Sequence, residues 1–234
     1  LTVSSLSTLN QSGAAVTLSI WGTAFKSAGG TFSSGPDEDW VEFQGGDPQT
    51  IVIIGGSGAF RNLRVNKTAG TTASLGTTLT VNNQLAVTVG TLDLADYLLT
   101  VNGTATVTTG LRNAGSSTWV QTGAATISGT YTMVGPAVSR FGATVHTVTG
   151  TVELNDSGSL RVANGGTFNF DAGSTFRSRG TAPTVTVDGV RTTGFSWNLN
   201  TGSTLDLSRL NFSLANASGM NIGTGVTIAS FQNV

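Results

Sequence analysis

The chain has 234 residues and a formal net charge of −1, and only 10% of its residues are charged, against roughly 25% in ordinary soluble domains. So sparse and balanced a charge excludes the basic surface that binding to a nucleic acid or an anionic membrane would need. The absence of cysteine excludes disulfides and thiolate metal sites. No membrane span is expected, because the longest aliphatic run, residues 51–54, is far shorter than the roughly 20 residues that cross a bilayer.

Residues 1–40 are the least regular part of the chain. We interpret them as an N-terminal capping segment with the first turns of a repeat, and residues 41–234 as its regular coils, cut short at the C-terminus. Aromatic residues gather here, at Trp21, Phe25, Phe32, Trp40 and Phe43. Packing over an exposed first coil explains them, since an open edge of strands invites aggregation. An aromatic platform for carbohydrate is the alternative.

An acidic cluster follows in the stretch SGPDEDWVEF, residues 34–43. Asp37, Glu38 and Asp39 are consecutive, and Glu42 and Asp47 lie close by in the sequence. Carboxylate oxygens are the ligands that Ca²⁺ prefers, so the cluster is a candidate calcium site. The cluster lacks the spacing of known calcium loops, however, and an exposed acidic turn explains it equally well.

Short triplets with apolar residues at both ends recur from residue 63 onward. From residue 79 to residue 107 they are separated by only three or four residues, usually Asn, Gly, Thr or Asp, which is too few for a crossover helix. This alternation is typical of strands with one buried face. The first triplets are residues 63–65, 79–81, 85–87, 92–94, 99–101 and 105–107, and later ones include 152–154, 160–162, 168–170, 185–187, 197–199 and 205–207.

The stretch TTLTVNNQLAVTVG, residues 77–90, returns twenty residues later as YLLTVNGTATVTTG. Leu79 then falls on Leu99, and Asn82 on Asn102. A period of about twenty residues with three short strands indicates a solenoid in which each strand pairs in parallel with its equivalent one coil on. We therefore predict an all-β fold, a right-handed parallel β-helix with about three short strands and about 20 residues per coil.

Two other all-β folds fit the pattern less well. A β-sandwich would need longer alternating runs and hairpin turns. A left-handed β-helix would need a strict six-residue beat, whereas the spacings here vary from six to eight or more.

The motif F-x-N-[LV] occurs at residues 60–63 and 231–234, and more loosely at 210–212. With the run from GGTFSSG to LTVNNQLAVTVGTLDL, it resembles repeats of secreted bacterial parallel β-helix proteins, the adhesin-like and cell-surface type built on the pectin-lyase-like superhelix. The resemblance covers residues 30–234 and implies an architecture, with export to the cell surface. The lyases of that superfamily carry Asp clusters for calcium and a basic catalytic residue, and no such constellation is visible here.

Few residues are suited to catalysis. His146 is the single histidine, no nucleophile motif accompanies it, and we interpret it as a solvent-facing or corner residue. Glycoside hydrolysis needs two carboxylates at one site. The candidates by proximity in the sequence are the acidic cluster of residues 37–47, Asp93 with Asp96, and Glu153 with Asp156. Asp188 and Asp206, 18 residues apart, come nearest to a one-coil offset, but they lie in different strand contexts. Carboxylates do not recur at equivalent positions one coil apart, so no catalytic residue, metal ligand or cofactor is assigned.

Two polar patterns suggest other roles. T-x-T pairs such as Thr104–Thr106–Thr108 resemble the flat arrays of ice-binding solenoids, but Thr also suits the outward face of any strand, and the pairs do not share one twenty-residue register. Asn82 and Asn102 are expected to stack at a corner and to join their side-chain amides in a ladder.

These observations predict a non-catalytic structural or adhesive segment of a bacterial extracellular or cell-surface protein: a stalk, a fibre or a surface-layer element. A carbohydrate-binding or polysaccharide-degrading β-helix is the alternative. The expected partners are further copies of the chain, in fibres or surface assemblies, and a glycan or cell-surface receptor. Contacts with them are expected in the stretches around residues 26–50 and 109–118, where the repeat is irregular.

Overall fold

The computed structural model describes residues 2–3, 8–10, 17–22, 24–28, 31–33, 39–54, 59–188, 194–213, 215–232 and 234. Within them the secondary structure is entirely β. The strands are β1 (Thr2–Val3), β2 (Thr8–Asn10), β3 (Thr17–Ile20), β4 (Ala24–Ala28), β5 (Thr31–Ser33), β6 (Trp40–Gly45), β7 (Gln49–Ile54), β8 (Ala59–Lys67), β9 (Thr72–Leu75), β10 (Leu79–Val89), β11 (Thr91–Asp93), β12 (Leu98–Val101), β13 (Thr104–Val107), β14 (Gly110–Ala114), β15 (Thr118–Gln121), β16 (Ala125–Ile127), β17 (Thr130–Val134), β18 (Val138–Phe141), β19 (Val145–Val148), β20 (Thr151–Asn155), β21 (Ser159–Ala163), β22 (Thr167–Phe170), β23 (Thr175–Arg179), β24 (Thr184–Asp188), β25 (Phe195–Leu199), β26 (Thr204–Leu207), β27 (Asn211–Phe212), β28 (Ala215–Ile222) and β29 (Thr227–Phe231).

These strands wind into a parallel β-solenoid with three sides, which we call faces I, II and III. Face III is an 11-stranded sheet in the order β1-β4-β7-β9-β11-β14-β17-β20-β23-β26-β29. A 16-stranded sheet covers the other two faces. On face I lie β12, β15, β18, β21, β24 and β27, on face II lie β3, β6, β13, β16, β19, β22, β25 and β28, and β8 and β10 run over both faces. Strands β2 and β5 form a separate two-stranded sheet. The long strand β10 bends from face I to face II and joins the two ladders. The predicted all-β solenoid with three strands per coil is therefore confirmed.

The coils average roughly 22 residues, slightly more than the predicted 20. The step from one coil to the next is not constant along face III: it is 19 residues from Asp93 to Arg112 and 29 residues from Arg177 to Asp206. Because the strands keep nearly the same length, the additional residues lie in the corners and connections. The right-handed sense of the winding stays a prediction.

Alternating burial along each strand builds the core. In β22 the pattern runs half-buried, buried, half-buried, buried, so Phe168 and Phe170 point inward. Equivalent positions of successive coils then stack as columns inside the solenoid. Leu79 pairs with Leu99 and Asn82 lies beside Asn102, as the repeat predicts.

At the level of β15, β16 and β17, large core side chains on two faces are balanced by a small one on the third face. Trp119 enters the core from face I and Tyr131 from face III, with their rings 5.1 Å apart. Ala125 fills the face II position of the same coil and pairs with Ala105 of the coil before. Small residues on one face thus make room for large rings from the other two, which keeps the interior closely packed.

The corner between faces I and II explains the F-x-N-[LV] motif at residues 60–63. Phe60 is buried on face I and Leu63 on face II, while Asn62 turns the corner between them. Its side-chain amide donates a hydrogen bond to the carbonyl of Asp39, 2.7 Å away in the preceding coil. Phe231 of the second copy lies on face III instead, so the two motifs are not structurally equivalent.

Candidate functional site

Three of the five proposed calcium ligands lie within the described residues, and two lie outside them. Asp37 and Glu38 lie outside the described residues. Asp39 is fully buried, and Asp47 is in an exposed turn. Glu42 is 5% exposed, and its two carboxylate oxygens are engaged by Arg64 at 3.2 Å and by the amide of Asn66 at 2.8 Å. Glu42 therefore has a structural role in joining β6 to β8.

The aromatic residues near the beginning of the chain are not presented together. Phe43 is fully buried and packs edge-on against Phe60. Trp40 is half-buried, and the guanidinium of Arg64 lies over its ring at 4.3 Å, a cation–π contact. Trp21 is 65% exposed at the corner after β3. The side chains of Phe25 and Phe32 lie outside the described part of the chain. Packing is thus confirmed for Phe43, and Trp21 is left as an exposed aromatic surface.

His146 does not face solvent, so the prediction of a solvent-facing or corner residue is wrong. It is fully buried in β19, where its ring lies 4.9 Å from that of Phe168 and 5.0 Å from that of Phe141. The backbone N–H of Ala125 donates to Nδ1 at 3.2 Å, so Nε2 carries the proton and donates to the carbonyl of Gly142, also at 3.2 Å. Burial lowers the pKa of His146, and the ring is neutral.

A buried polar cluster that the sequence did not reveal lies beside this histidine coil. Asn113 occupies an inward position on face III, and its side-chain nitrogen donates to the carbonyl of Val138 and to Oγ of Ser139, each at 2.8 Å. Its side-chain oxygen accepts from Ser117, and the Tyr131 hydroxyl contacts Ser139. Burial raises the pKa of Tyr131 far above its usual value, so the phenol stays protonated. The cluster joins three strands and has no access to solvent.

The described carboxylates of the candidate pairs lie beside residues of neighbouring coils on the outer side of the solenoid. Asp93 forms a 2.7 Å ion pair with Arg112 of the next coil and also accepts the N–H of Ala95. Asp96, at a corner, accepts the N–H of Ser116 at 2.6 Å. Glu153 pairs in register with Arg177 on the outer side of face III. The side chain of Asp188 lies outside the described residues.

Asp206 is the most strongly perturbed of these carboxylates. Arg179 and Arg177 of the preceding coil both contact its Oδ2, and Ser230 of the following coil donates to Oδ1 at 2.8 Å. The hydrogen bond from Arg179, supported by Ser230 and Arg177, lowers the pKa of Asp206 to about 2. A carboxylate held so firmly in its charged form spans three coils and is unsuited to act as a general acid at neutral pH.

Face II carries regular polar columns on its outer side. Thr106, Thr126 and Thr147 align in register, although Thr126 belongs to a T-I-S triplet rather than to a T-x-T pair. The step from Thr126 to Thr147 is 21 residues, so the column does not follow one twenty-residue register, as expected. Asn169, Asn198 and Asn221 continue the column through amide hydrogen bonds of 2.8 and 2.7 Å. The predicted ladder between Asn82 and Asn102 is confirmed at 3.1 Å.

Face I carries a shallow groove of about 510 Å³. Its lining includes the apolar residues Val120 and Ala163 and the polar residues Thr118, Thr122 and Arg140. The groove lies on the regular outer side of the strands. Residues 109–118, where the repeat was expected to be irregular, contain the regular strand β14 and a tight corner, with Leu111, Asn113 and Ser117 buried. Contact of this stretch with partners stays a prediction.

No helix in the described part of the chain is long and apolar enough to cross a membrane. Among these same residues, no three His, Asp or Glu side chains come together in a group able to hold a metal ion. Comparisons of the chain with the profiles of known protein families, with curated proteins and with solved structures found no match.

Proposed function

We propose that the chain is a non-catalytic structural or adhesive segment of a bacterial extracellular or cell-surface protein, serving as a stalk, a fibre or a surface-layer element. The observation that carries the proposal is the unbroken pairing of face III, in which eleven parallel strands follow one another from β1 to β29. Each coil adds about 4.8 Å to the length of the solenoid, so a longer chain of this kind makes a longer rod. Export and bacterial origin rest on the sequence resemblance described above.

The outer side of the solenoid supports the same role. Ion pairs between Asp93 and Arg112 and between Asp206 and Arg179 join successive coils along face III. Amide ladders such as the one through Asn198 join them along face II. These contacts run parallel to the long axis, where they resist separation of the coils under tension.

The proposal predicts a stiff rod with mechanical strength. Small-angle scattering of the purified chain should give a cross-section that is constant along a particle about 50 Å long. Single-molecule pulling from the two ends should give a series of force peaks, as coils detach in turn. A compact spherical particle, or extension without force peaks, would contradict the structural role.

A carbohydrate-binding function is the second candidate, and the groove on face I favours it. Thr118, Thr122 and Arg140 offer hydroxyl and guanidinium groups to a sugar chain lying over Val120 and Ala163. Filling the groove by Ala163→Trp should then abolish retention on polysaccharide gels, while Thr130→Trp on the exposed surface of face III should leave it unchanged. Equal migration of both variants and the unmodified chain in every gel would exclude this groove as a glycan site.

A further inference from the structure

The groove on face I extends across four successive coils. Its lining residues come from β12, β15, β18 and β21, which lie side by side in the sheet. Three steps of about 4.8 Å between these strands give the groove a length of roughly 14 Å along the solenoid axis. A site of this length has room for several units of a linear polymer and is larger than a single small ion requires.

Two arginines stand next to each other on the outer side of this face. Arg140 of β18 lines the groove and is exposed, and Arg161 of β21 pairs with it in register one coil further on. Because neighbouring strands are about 4.8 Å apart, both guanidinium groups can reach the same group of a ligand. The four strands that line the groove contain no Asp or Glu. Asp188, the single acidic residue of the next strand β24, is in register with Ala163 rather than with either arginine.

This pair of like charges is an exception on the solenoid. In every other in-register pair of charged residues in the described strands, opposite charges meet. These other pairs are Glu42 with Arg64, Asp93 with Arg112, Glu153 with Arg177, and Arg177 with Asp206. Like charges directly opposite each other destabilise a sheet. A local cost of this kind is expected where side chains serve binding rather than folding.

The other lining side chains suit a sugar chain. Leu98 is 36% exposed, and together with Val120 and Ala163 it offers apolar contacts to the C–H groups of sugar rings. Thr118 and Thr122 offer hydroxyl groups that can exchange hydrogen bonds with sugar hydroxyls. A lining of apolar side chains with a few placed polar groups is typical of ligand sites.

The two arginines also select the group that they bind. A carboxylate has two oxygens, which match the fork of a single guanidinium. Two guanidinium groups one coil apart are matched better by a tetrahedral oxyanion, whose three free oxygens can accept hydrogen bonds from both. Sulfate esters supply such a group along a sugar chain.

We propose that the groove on face I binds a polysaccharide that carries sulfate esters, with Arg140 and Arg161 sharing one sulfate. The inference rests on the carbohydrate-binding function, the second candidate above, and names the class of its ligand. The sugar rings contact the apolar lining, and the sulfate fixes the chain across β18 and β21. The structural role of the solenoid as a rod does not depend on this site.

The test is fluorescence anisotropy of a short labelled chain of dextran sulfate, with unsulfated dextran and carboxymethyl-dextran of the same length as matched probes. The expected result is binding of dextran sulfate, much weaker binding of carboxymethyl-dextran and no binding of dextran. Arg140→Gln and Arg161→Gln should each raise the Kd for dextran sulfate by about tenfold or more, because each removes a charge-assisted hydrogen bond.

Arg112→Gln is the matched control, because it removes the same charge from an exposed arginine on face III. This variant should bind dextran sulfate with a nearly unchanged Kd. Arg161→Gln should not lower the thermal unfolding temperature, since it removes one of two neighbouring like charges. Weaker binding by Arg161→Gln is then separated from a loss of fold.

Several results would overturn the proposal. Equal binding of dextran sulfate and carboxymethyl-dextran would exclude selection of a sulfate, and an equal loss in Arg112→Gln would reduce the binding to general attraction by charge. A short DNA duplex that binds as tightly as dextran sulfate would exclude selection of a sugar chain.

The same probes separate this inference from the carbohydrate-binding function itself. Binding of unsulfated dextran that Ala163→Trp abolishes, and that Arg140→Gln and Arg161→Gln leave unchanged, would overturn the sulfate site and retain the groove as a glycan site. Absence of binding to all three probes, together with no retention on any polysaccharide gel, would overturn both.

Discussion

The backbone N–H of Ala125 donates a hydrogen bond to Nδ1 of His146, which lies one coil further along the solenoid at 3.2 Å. The imidazole thus occupies a position that apolar side chains fill elsewhere in the same column, and it replaces part of the backbone pairing between β16 and β19. The ring can accept this hydrogen bond only while it is neutral. Protonation of the ring would break this contact, so the stability of the core depends on pH.

We expect the stability of the chain to fall as the pH drops below about 6.5, the pKa of an unfolded histidine. Burial lowers the pKa of folded His146, so in this window the unfolded chain binds a proton that the folded chain does not. The stability contribution is complete above pH 6.5 and is lost as the pH falls towards the folded pKa. Urea unfolding at pH 7 and pH 5 should show a loss of up to about 2 kcal/mol from this group.

His146→Phe separates this effect from the titration of carboxylates. At pH 7 the variant should be about 1–3 kcal/mol less stable, because the Ala125 N–H and the Gly142 carbonyl lose their partner. Its deficit should shrink as the pH falls to 5. A deficit that stays constant over this range would mean that His146 does not titrate differently in the folded and unfolded chain.

Two glycines should respond differently to the same substitution. A Cβ added to Gly129 would lie 2.2 Å from the carbonyl oxygen of Thr109 in the coil below. Gly173 has a φ of +84° but open space around it. We expect Gly129→Ala to cost about 3 kcal/mol or more, since two coils must separate, and Gly173→Ala to cost about 1–2 kcal/mol of backbone strain.

Chemical denaturation of both variants measures this difference, and hydrogen exchange locates it. The amides of the coils around Gly129 should exchange faster in Gly129→Ala, whereas the effect of Gly173→Ala should stay within its own turn. Similar costs in the two variants would show that the corners can open without disturbing the stacked backbone.

The contact of Asp206 with Arg179 should stabilise the chain modestly and in a salt-dependent way. The pKa of Asp206 is lowered to about 2 in the folded chain, against about 3.9 unfolded. Its contribution is therefore present above pH 4 and is lost as the pH falls to 2. Because both arginines are about 40% exposed, we expect Asp206→Asn to cost no more than about 1 kcal/mol at neutral pH.

A double-mutant cycle isolates the pair. Asp206→Asn and Arg179→Gln should together cost less than the sum of the single changes, and this coupling should decrease in 1 M salt. Additive effects at low salt would show that the ion pair contributes nothing measurable to the free energy of unfolding.

The regular part of the fold was predictable because the corners between residues 79 and 135 have nearly constant length. There the twenty-residue repeat of the sequence places Leu79 on Leu99, and the structure pairs these two residues. Beyond Asn155 the coils lengthen, and the sequence repeat is no longer recognisable. The strands were still recognisable from their triplets, but the sequence did not give the register between them.

His146 shows what the alternating pattern alone leaves undecided. Val145 and Val148 are of opposite parity, so alternation does not tell which of them points inward. The register does: the sequence match of Ile127 with Val148 also places His146 on Ala125, a core position. The signal was present in the spacing of the coils rather than in the residues around the histidine.

Asn113 and the Asp206 contacts were beyond sequence analysis for another reason. Asn113 contacts Ser139, 26 residues away on a different face, and Arg179 contacts Asp206 across 27 residues. These separations combine a corner of variable length with a change of face or coil. Only the three-dimensional path brings such residues together.

The steps of 19 and 29 residues along face III have a consequence for how this chain accepts change. Ten additional residues enter one coil without altering the pairing of Phe176 with Leu205 in the core. Length is therefore tolerated at the corners and excluded from the strands. A foreign peptide inserted between β24 and β25, two strands that residues 189–194 separate, would be held at a fixed height along the rod.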